Sequence, residues 1–516
     1  MRVIVIGSGF GGLAAAIRLS AQGHEVTVLE QRDQPGGRAY VYRQDGFTFD
    51  AGPTIITAPW MIDDLFALAG KRTADYVQLV PVDPFYRIRF EDGSAFTSNG
   101  DRDAMLRQVR AFAPGDEAGY LEFVKASEAV FDAGMALIDK PFGRLREMLR
   151  VLPDLVRLRA DRSVASLANK HLEDERLRQV FSFHPLLVGG DPFQTTSVYA
   201  LIHHLEQKGG VWFAMGGTGK LVEAFARLFG DLGGELRCST RVEEILVDPR
   251  TGRANGVRIA GGEVLAADAV VSNGDVAFTY LQLVAPQWRK KNTDRRLEGF
   301  DYSMSLFVIY FGTDRKYDEM AHHEILMGPR YRGLLHDVFN AKTLSKDFSL
   351  YLHRPTATDP SLAPPGCDAW YVLSPVPHLG GDTDWAEAAG PYRDAIIKYL
   401  EERYLPGLSQ HIVTERRIDP RHFRETLSSH LGSAFSVQPT LTQSAWFRPH
   451  NQSEDIPNLY FAGAGTHPGA GVPGVISSGK IVADLIGWAD EPRRRPFGAT
   501  NSIPRVEAAP LVEVEV

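Results

Sequence analysis

The first thirty residues restrict the fold more than any other stretch of the chain. Val3-Ile4-Val5-Ile6 is the continuous apolar run that a parallel strand buried on both faces requires. It ends in Gly7-Ser8-Gly9-Phe10-Gly11-Gly12, a GxGxxG pattern. The Ala-rich stretch Leu13 to Gln22 reads as a helix stopped by Gly23, and Val26-Thr27-Val28-Leu29 as a second strand. In such a unit Gly7 permits the tight turn, Gly9 lets backbone approach a pyrophosphate, and Gly12 lets helix and strand pack closely. The helix start offers free N–H groups and partial positive charge to phosphates. Glu30 ends the second strand, where a carboxylate accepts hydrogen bonds from ribose hydroxyls and repels a 2′-phosphate. A glycine-rich turn with no ligand would need strand, helix and terminal acid to fall in register by chance.

The remaining composition is that of an ordinary globular chain. Its 516 residues, 44% hydrophobic and 23% charged, are enough for several domains without a disulfide or metal staple. A net charge of -8 gives no global attraction to nucleic acid, and neither of the two cysteines, Cys238 and Cys367, belongs to a zinc-type cluster. So few cysteines suit a reducing cytoplasm. The apolar start lacks a basic front end and a cleavage site, so a buried strand explains it better than a signal peptide. No apolar stretch reaches the ~18 residues of a membrane span.

The pattern along the chain predicts an α/β protein: a Rossmann-like FAD-binding domain assembled from discontinuous segments, plus a mixed α+β substrate domain with a helical membrane-facing part. The expected nucleotide-binding pieces are residues 1–82, 209–300 and 423–489; the expected substrate pieces are 83–208 and 301–422. Helix is read over Leu221 to Leu232, and strands over Thr240 to Val247, Ala267 to Ser272 and Ser305 to Phe311. Residues 490–516, rich in proline and with Arg493-Arg494-Arg495, read as a disordered tail. Gly216-Gly217-Thr218-Gly219-Lys220 imitates a phosphate loop, but the first glycine position holds Ala214 and the Ser/Thr position holds Leu221. It is read as the turn before the next helix.

Gly36-Gly37-Arg38 sets an arginine on a glycine turn just past Glu30, where it can neutralise a phosphate. With Val26 to Arg38 as a whole, it resembles flavoproteins of the amine oxidase and carotenoid desaturase superfamily. Near the end of the chain, Asn458 to Thr466 reads as a strand entering glycines, and His467 to Ile476 leads into a helix whose start near Gly474 would set positive potential beside a flavin. Gly432 to Pro439, Gln443 to Asn451 and Gly463 to Gly471 resemble the signature of bacterial phytoene desaturases, and Gly46 to Pro53 and Phe181 to Gly190 extend the likeness. The match runs from residue 1 to about 488. Ala464 stands where the wider class usually carries Asp, as in desaturases of this type.

The resemblance implies FAD, a forty-carbon polyene substrate such as phytoene, and stepwise oxidation to neurosporene, lycopene or a similar product. Hydride transfer to flavin would leave a delocalised allylic cation, and proton loss would complete each double bond. Carried over as cofactor-binding residues are Gly7, Gly9, Gly12, Glu30, Gly37, Arg38, Val242, Gly463, Gly465, Gly474 and Val475, with no metal. Catalytic candidates are His467, in the flavin-side turn, and Glu147 with Arg150, where related desaturases carry Asp-x-x-Arg; the plainer readings are a structural histidine and a surface ion pair. The resemblance also implies a membrane surface as partner, at the inner face of the cell membrane, and oxygen or a quinone as electron acceptor. Lys140 to Arg162 fits that surface, with seven basic and three acidic residues and an apolar stripe. The sequence is equally compatible with a monomer and a homo-oligomer. A polyene isomerase, an amine oxidase and a non-catalytic prenyl-binding protein are the alternatives.

Overall fold

The computed structural model describes residues 1–489, so the expected tail lies outside the described residues. A five-stranded parallel sheet forms one half of the molecule. Its spatial order is Leu459–Phe461, Ala269–Ser272, Arg2–Ile6, Glu25–Leu29 and Glu235–Arg237. Strands from the start, middle and end of the chain therefore lie side by side. The first strand sits near the centre, paired with both Glu25–Leu29 and Ala269–Ser272. Val3 and Val5 face one layer of packing and Ile4 the other, which explains the unbroken apolar run. The first helix, Phe10–Ala21, packs against the closing helix, Val472–Ile486. Gly479 permits this: a Cβ there would lie 2.7 Å from the Ala15 nitrogen.

A seven-stranded, mainly antiparallel sheet forms the other half, in the order Ile412–Ile418, Ser305–Thr313, Asp368–Val376, Leu350–His353, His323–Leu326, Tyr86–Arg89 and Ala95–Ser98. Ser305–Thr313 is buried along its whole length and pairs on both sides. Helices between residues 102 and 209 pack beside this sheet, with Glu117–Met135 against Leu201–Gly209. An aromatic-rich core including Tyr86, Phe96, Tyr120, Phe123 and Phe181 joins the two layers.

Several boundaries differ from the sequence reading. The helix read from Leu221 begins at Thr218, because the buried Asp50 carboxylate accepts from the backbone N–H groups of Thr218 (2.8 Å) and Gly219 (3.2 Å). A Cβ on Gly217 would lie 2.7 Å from that carboxylate, so the glycine run serves a helix start instead of a phosphate. The strand read from Thr240 begins at Val242, and the one read from Ala267 begins at Ala269. Within Lys140 to Arg162 only Leu145–Arg157 is helical; Pro153 lies inside it, and the helix ends at Leu158.

Candidate active site

The turn after the first strand is built by steric exclusion. Gly7 has φ of 91°, a left-handed conformation that favours glycine, and a Cβ on Gly12 would collide with the Gly7 carbonyl oxygen. On Gly9 a Cβ would lie 2.8 Å from Asn273 Oδ1, and on Gly37 3.4 Å from the Gly9 Cα. Glu30 is almost fully buried. Its Oε2 accepts from the Ser8 amide (2.9 Å) and hydroxyl (2.6 Å), and its Oε1 accepts from the Arg32 amide (2.9 Å). Val242 is also close to this point. Thr240, two residues before it, donates its amide to the Glu30 carbonyl, and Val242 packs in the same core as Leu29.

The end of the chain closes the groove from the other side. Gly463, with φ of 118°, lies against the Gly11 backbone; a Cβ on Gly11 would fall 3.1 Å from the Gly463 Cα. The closing helix starts at Val472, so Gly474 and Val475 lie in its first turn. A Cβ on Gly474 would meet the Gly469 carbonyl oxygen at 2.7 Å, and one on Gly465 would meet Val276 at 2.8 Å. Arg38 is half-buried and donates to the Ala434 carbonyl (2.7 Å) and the Ser429 hydroxyl (2.6 Å).

Two residues to which the sequence reading gave no role hold these pieces together. Asn273 sits between the two glycine turns and donates from Nδ2 to the Ala462 carbonyl at 2.9 Å. Arg448 is buried, and its guanidinium donates to the carbonyls of Val437 (2.8 Å), Ala464 (2.7 Å), Thr466 (3.2 Å) and Gln443 (3.3 Å). Five fixed N–H donors suit a cluster of carbonyls with no carboxylate among them. Arg448 was legible only as part of a motif. Its role requires the folded loop.

A cavity of about 510 Å³ runs from this groove into the second half of the molecule. Gly37, Arg38, Gly463, Gly474 and Val475 line it at the groove. Beyond them the wall is hydrocarbon, with Phe183, Leu186, Ile202, Leu205, Met327 and Leu335 among the lining groups. A Cβ on Gly52 would lie 3.5 Å from the Arg38 carbonyl oxygen, so the chain from Gly52 to Thr54 leads from groove to apolar wall. Glycine backbone for a flat ring and pyrophosphate, a carboxylate for hydroxyls, and an adjoining apolar chamber fit a flavin dinucleotide facing a greasy substrate.

Comparison with known proteins agrees with that geometry. Residues 10–487 match the family model described as flavin containing amine oxidoreductase. A lycopene-forming phytoene desaturase of Pseudescherichia vulneris is 53% identical over 487 residues, covering 94% of this chain and 99% of that protein. A neurosporene-forming one of Rhodobacter capsulatus is 46% identical over 497 residues, covering 95% of each. The chain belongs to the phytoene desaturases of the flavin-containing amine oxidoreductase family. Its cofactor is FAD. Among solved structures, an oxidoreductase from Methanosarcina mazei superimposes with a TM-score of 0.64 at 17% identity, over 94% of this chain and 100% of that one, which shows a shared fold.

The catalytic candidates of this desaturase occupy different places. His467 lines the cavity, with Nε2 3.3 Å from the Leu137 carbonyl and its ring edge-on to Phe142. Burial lowers its pKa to about 4, so it is a neutral imidazole at physiological pH. The surface ion pair expected of Glu147 and Arg150 is not what Glu147 makes. It turns back and accepts from the Arg144 amide at 2.8 Å, satisfying a free N–H at the helix start. Arg150 is exposed, and neither residue lines the cavity, whereas Met148, Val151 and Leu155 of the same helix do.

Proposed function

We propose that this protein is an FAD-dependent phytoene desaturase that oxidises its substrate in successive rounds to a lycopene- or neurosporene-type product. The observation that carries this reading is the apolar chamber joined to the glycine groove, in a chain about half identical to lycopene- and neurosporene-forming enzymes. Bound FAD supplies the hydride acceptor. The protein's part is to position and to exclude. The hydrocarbon wall binds a polyene by apolar burial, at roughly 25 cal/mol per Å² before binding costs. Gly52 and the backbone at 463–475 bring the chain's own surface close to a flat ring without intervening side chains. The same wall keeps water from a cationic hydrocarbon. Expression in a phytoene-accumulating host, with chromatography of the pigments, tests the reading: coloured, more unsaturated products are expected, and unchanged phytoene would reject it.

The Leu145–Arg157 helix supports a further part of the proposal, delivery of substrate from a membrane surface. Leu145 (54%), Leu149 (59%), Leu152 (46%) and Val156 (65%) are solvent-exposed on a helix whose other side closes the cavity. Arg146, Arg150 and Arg157 stand exposed among them, and the exposed Phe447 lies in the turn that packs against this helix. Apolar side chains with interleaved cations suit a helix lying in an anionic lipid interface. No described helix is long and apolar enough to cross a membrane. Charge reversal at Arg146 and Arg150 should reduce co-sedimentation with anionic liposomes; unchanged sedimentation would reject the surface. Electron transfer to oxygen or a quinone belongs to the same proposal, and anaerobic turnover with added quinone distinguishes the two.

A further inference from the structure

We infer that Glu206 is the proton acceptor of the desaturation, an inference that rests on the reading above and names the group it leaves open. Glu206 is the only carboxylate among the described residues that line the cavity. It is 2% exposed. It lies on the Leu201–Gly209 helix four residues after Ile202, so both present the same face to the chamber. Its Oε1 accepts the Tyr86 hydroxyl at 2.7 Å, and its Oε2 stands 3.3 Å from His184 Nε2. Each oxygen of a carboxylate has two lone-pair sites, so these contacts leave Glu206 capacity to take a proton.

Its position joins it to the cofactor groove. Thr54, two residues after Gly52, shares a 2.7 Å hydrogen bond with the Tyr351 hydroxyl, which is in turn 2.7 Å from His323 Nδ1. The Tyr86 ring lies 5.9 Å from the His323 ring and carries the hydroxyl that holds Glu206. Hydrogen bonds therefore lead from the groove to His323, and a ring contact, not a hydrogen bond, links His323 to the tyrosine that holds the carboxylate. Two imidazoles, His422 and His467, also line the wall, and burial holds both neutral down to about pH 4.

Each round removes two hydrogens from adjacent carbons. One leaves as hydride, with both electrons of its C–H bond, to the flavin. The other leaves as a proton to a Glu206 oxygen, and the electron pair of that second C–H bond becomes the new π bond. Until the proton is taken, the anionic carboxylate also opposes the positive charge spread along the polyene in a chamber of low dielectric. His184, beside Oε2, is placed to share the proton.

The test uses flavin-loaded full-length protein with phytoene in liposomes. Glu206→Gln keeps an acceptor for Tyr86 but replaces the basic oxygen. We expect kcat to fall by about 10²–10⁴-fold, the range of a lost general base, with flavin content and KM within about threefold. Glu206→Asp should recover part of the loss. The wild-type kcat should fall on the acid side as one group protonates, and that limb should vanish in the Gln variant. Infrared titration should show a buried carboxyl band that is present in the wild type and absent from Glu206→Gln. Near-normal kcat in flavin-containing Glu206→Gln overturns the assignment. Should that variant lose its flavin, a wild-type profile with no acid limb overturns it equally. Failure of the wild type itself to convert phytoene rejects the function and not this residue.

Discussion

Glu30 and Glu206 are both nearly enclosed, at 4% and 2% exposure, yet they belong to opposite kinds of surroundings. Glu30 receives three hydrogen bonds, two of them from backbone amides, beside the start of the first helix. These donors and the nearby helix start orient both of its oxygens as acceptors. Glu206 has one hydroxyl donor and one imidazole on a wall of leucine, isoleucine and phenylalanine. One half of the molecule thus fixes a carboxylate by donors from the turn around it, beside the cofactor groove. The other places one carboxylate where a hydrocarbon passes, the group inferred above to take a proton in each round.

The largest expected effect falls on the loop that closes the cofactor groove. Arg448→Met should cost about 4 kcal/mol of stability, because carbonyls of Val437, Gln443, Ala464 and Thr466 lose their donor in a buried site. Urea titration measures it, and a loss below about 1 kcal/mol would mean that water replaces the guanidinium. Next is Gly12→Val, which drives a side chain into the Gly7 carbonyl. Overpacking of about 3 kcal/mol corresponds to roughly 100-fold weaker flavin binding, read from the flavin absorbance of the purified protein. Glu30→Gln sharpens the contrast with Glu206. It should weaken flavin binding about tenfold, by the loss of one charge-assisted contact, and leave the pH profile of flavin-saturated turnover unchanged. If Glu30→Gln altered that profile as well, the two carboxylates would not have separate duties.

The two halves also differ in how much of them is legible in the chain. Gly7, Gly12, Glu30 and Gly37 lie within one strand–helix–strand unit, so their spacing alone carries their geometry. The strand at Ser305 and the helix ending near Leu232 are likewise marked by local apolar runs. Glu206 meets Tyr86 across 120 residues, and Asn273 meets Ala462 across 189. No local pattern encodes such pairs. One signal did exist for Glu206: an acid four residues after Ile202, on the apolar side of a short helix. Glu147 shows the converse. Its spacing from Arg150 suits an ion pair, but three residues from Arg144 it also suits a helix cap, which satisfies a free N–H that the ion pair would leave unmet.

The last effect expected is one of pH, and it is read in the histidine cluster of the substrate half. His322, His323 and His353 cluster behind Tyr351, with His323 and His353 directly opposed on neighbouring strands. Burial lowers all three, His322 to about 3 with Arg354 adding repulsion, while Arg354 itself pairs with Asp368. Unfolded, these imidazoles titrate near 6.5. Between about pH 6.5 and 3 the unfolded chain therefore binds more protons, so stability is complete above 6.5 and is lost as pH falls. Each group contributes at most about 1.4 kcal/mol per pH unit. Neither nitrogen of His353 has a hydrogen-bond partner, so His353→Leu removes a titrating group without orphaning a bond. Its unfolding free energy should match the wild type within about 1 kcal/mol at pH 7.5 and fall less steeply towards pH 5. Hydrogen exchange should show Leu350–His353 opening before Arg2–Ile6 as the wild type is acidified. Simultaneous opening of both sheets would mean that acid acts on the molecule as a whole, and the contrast between the two halves would not extend to its stability.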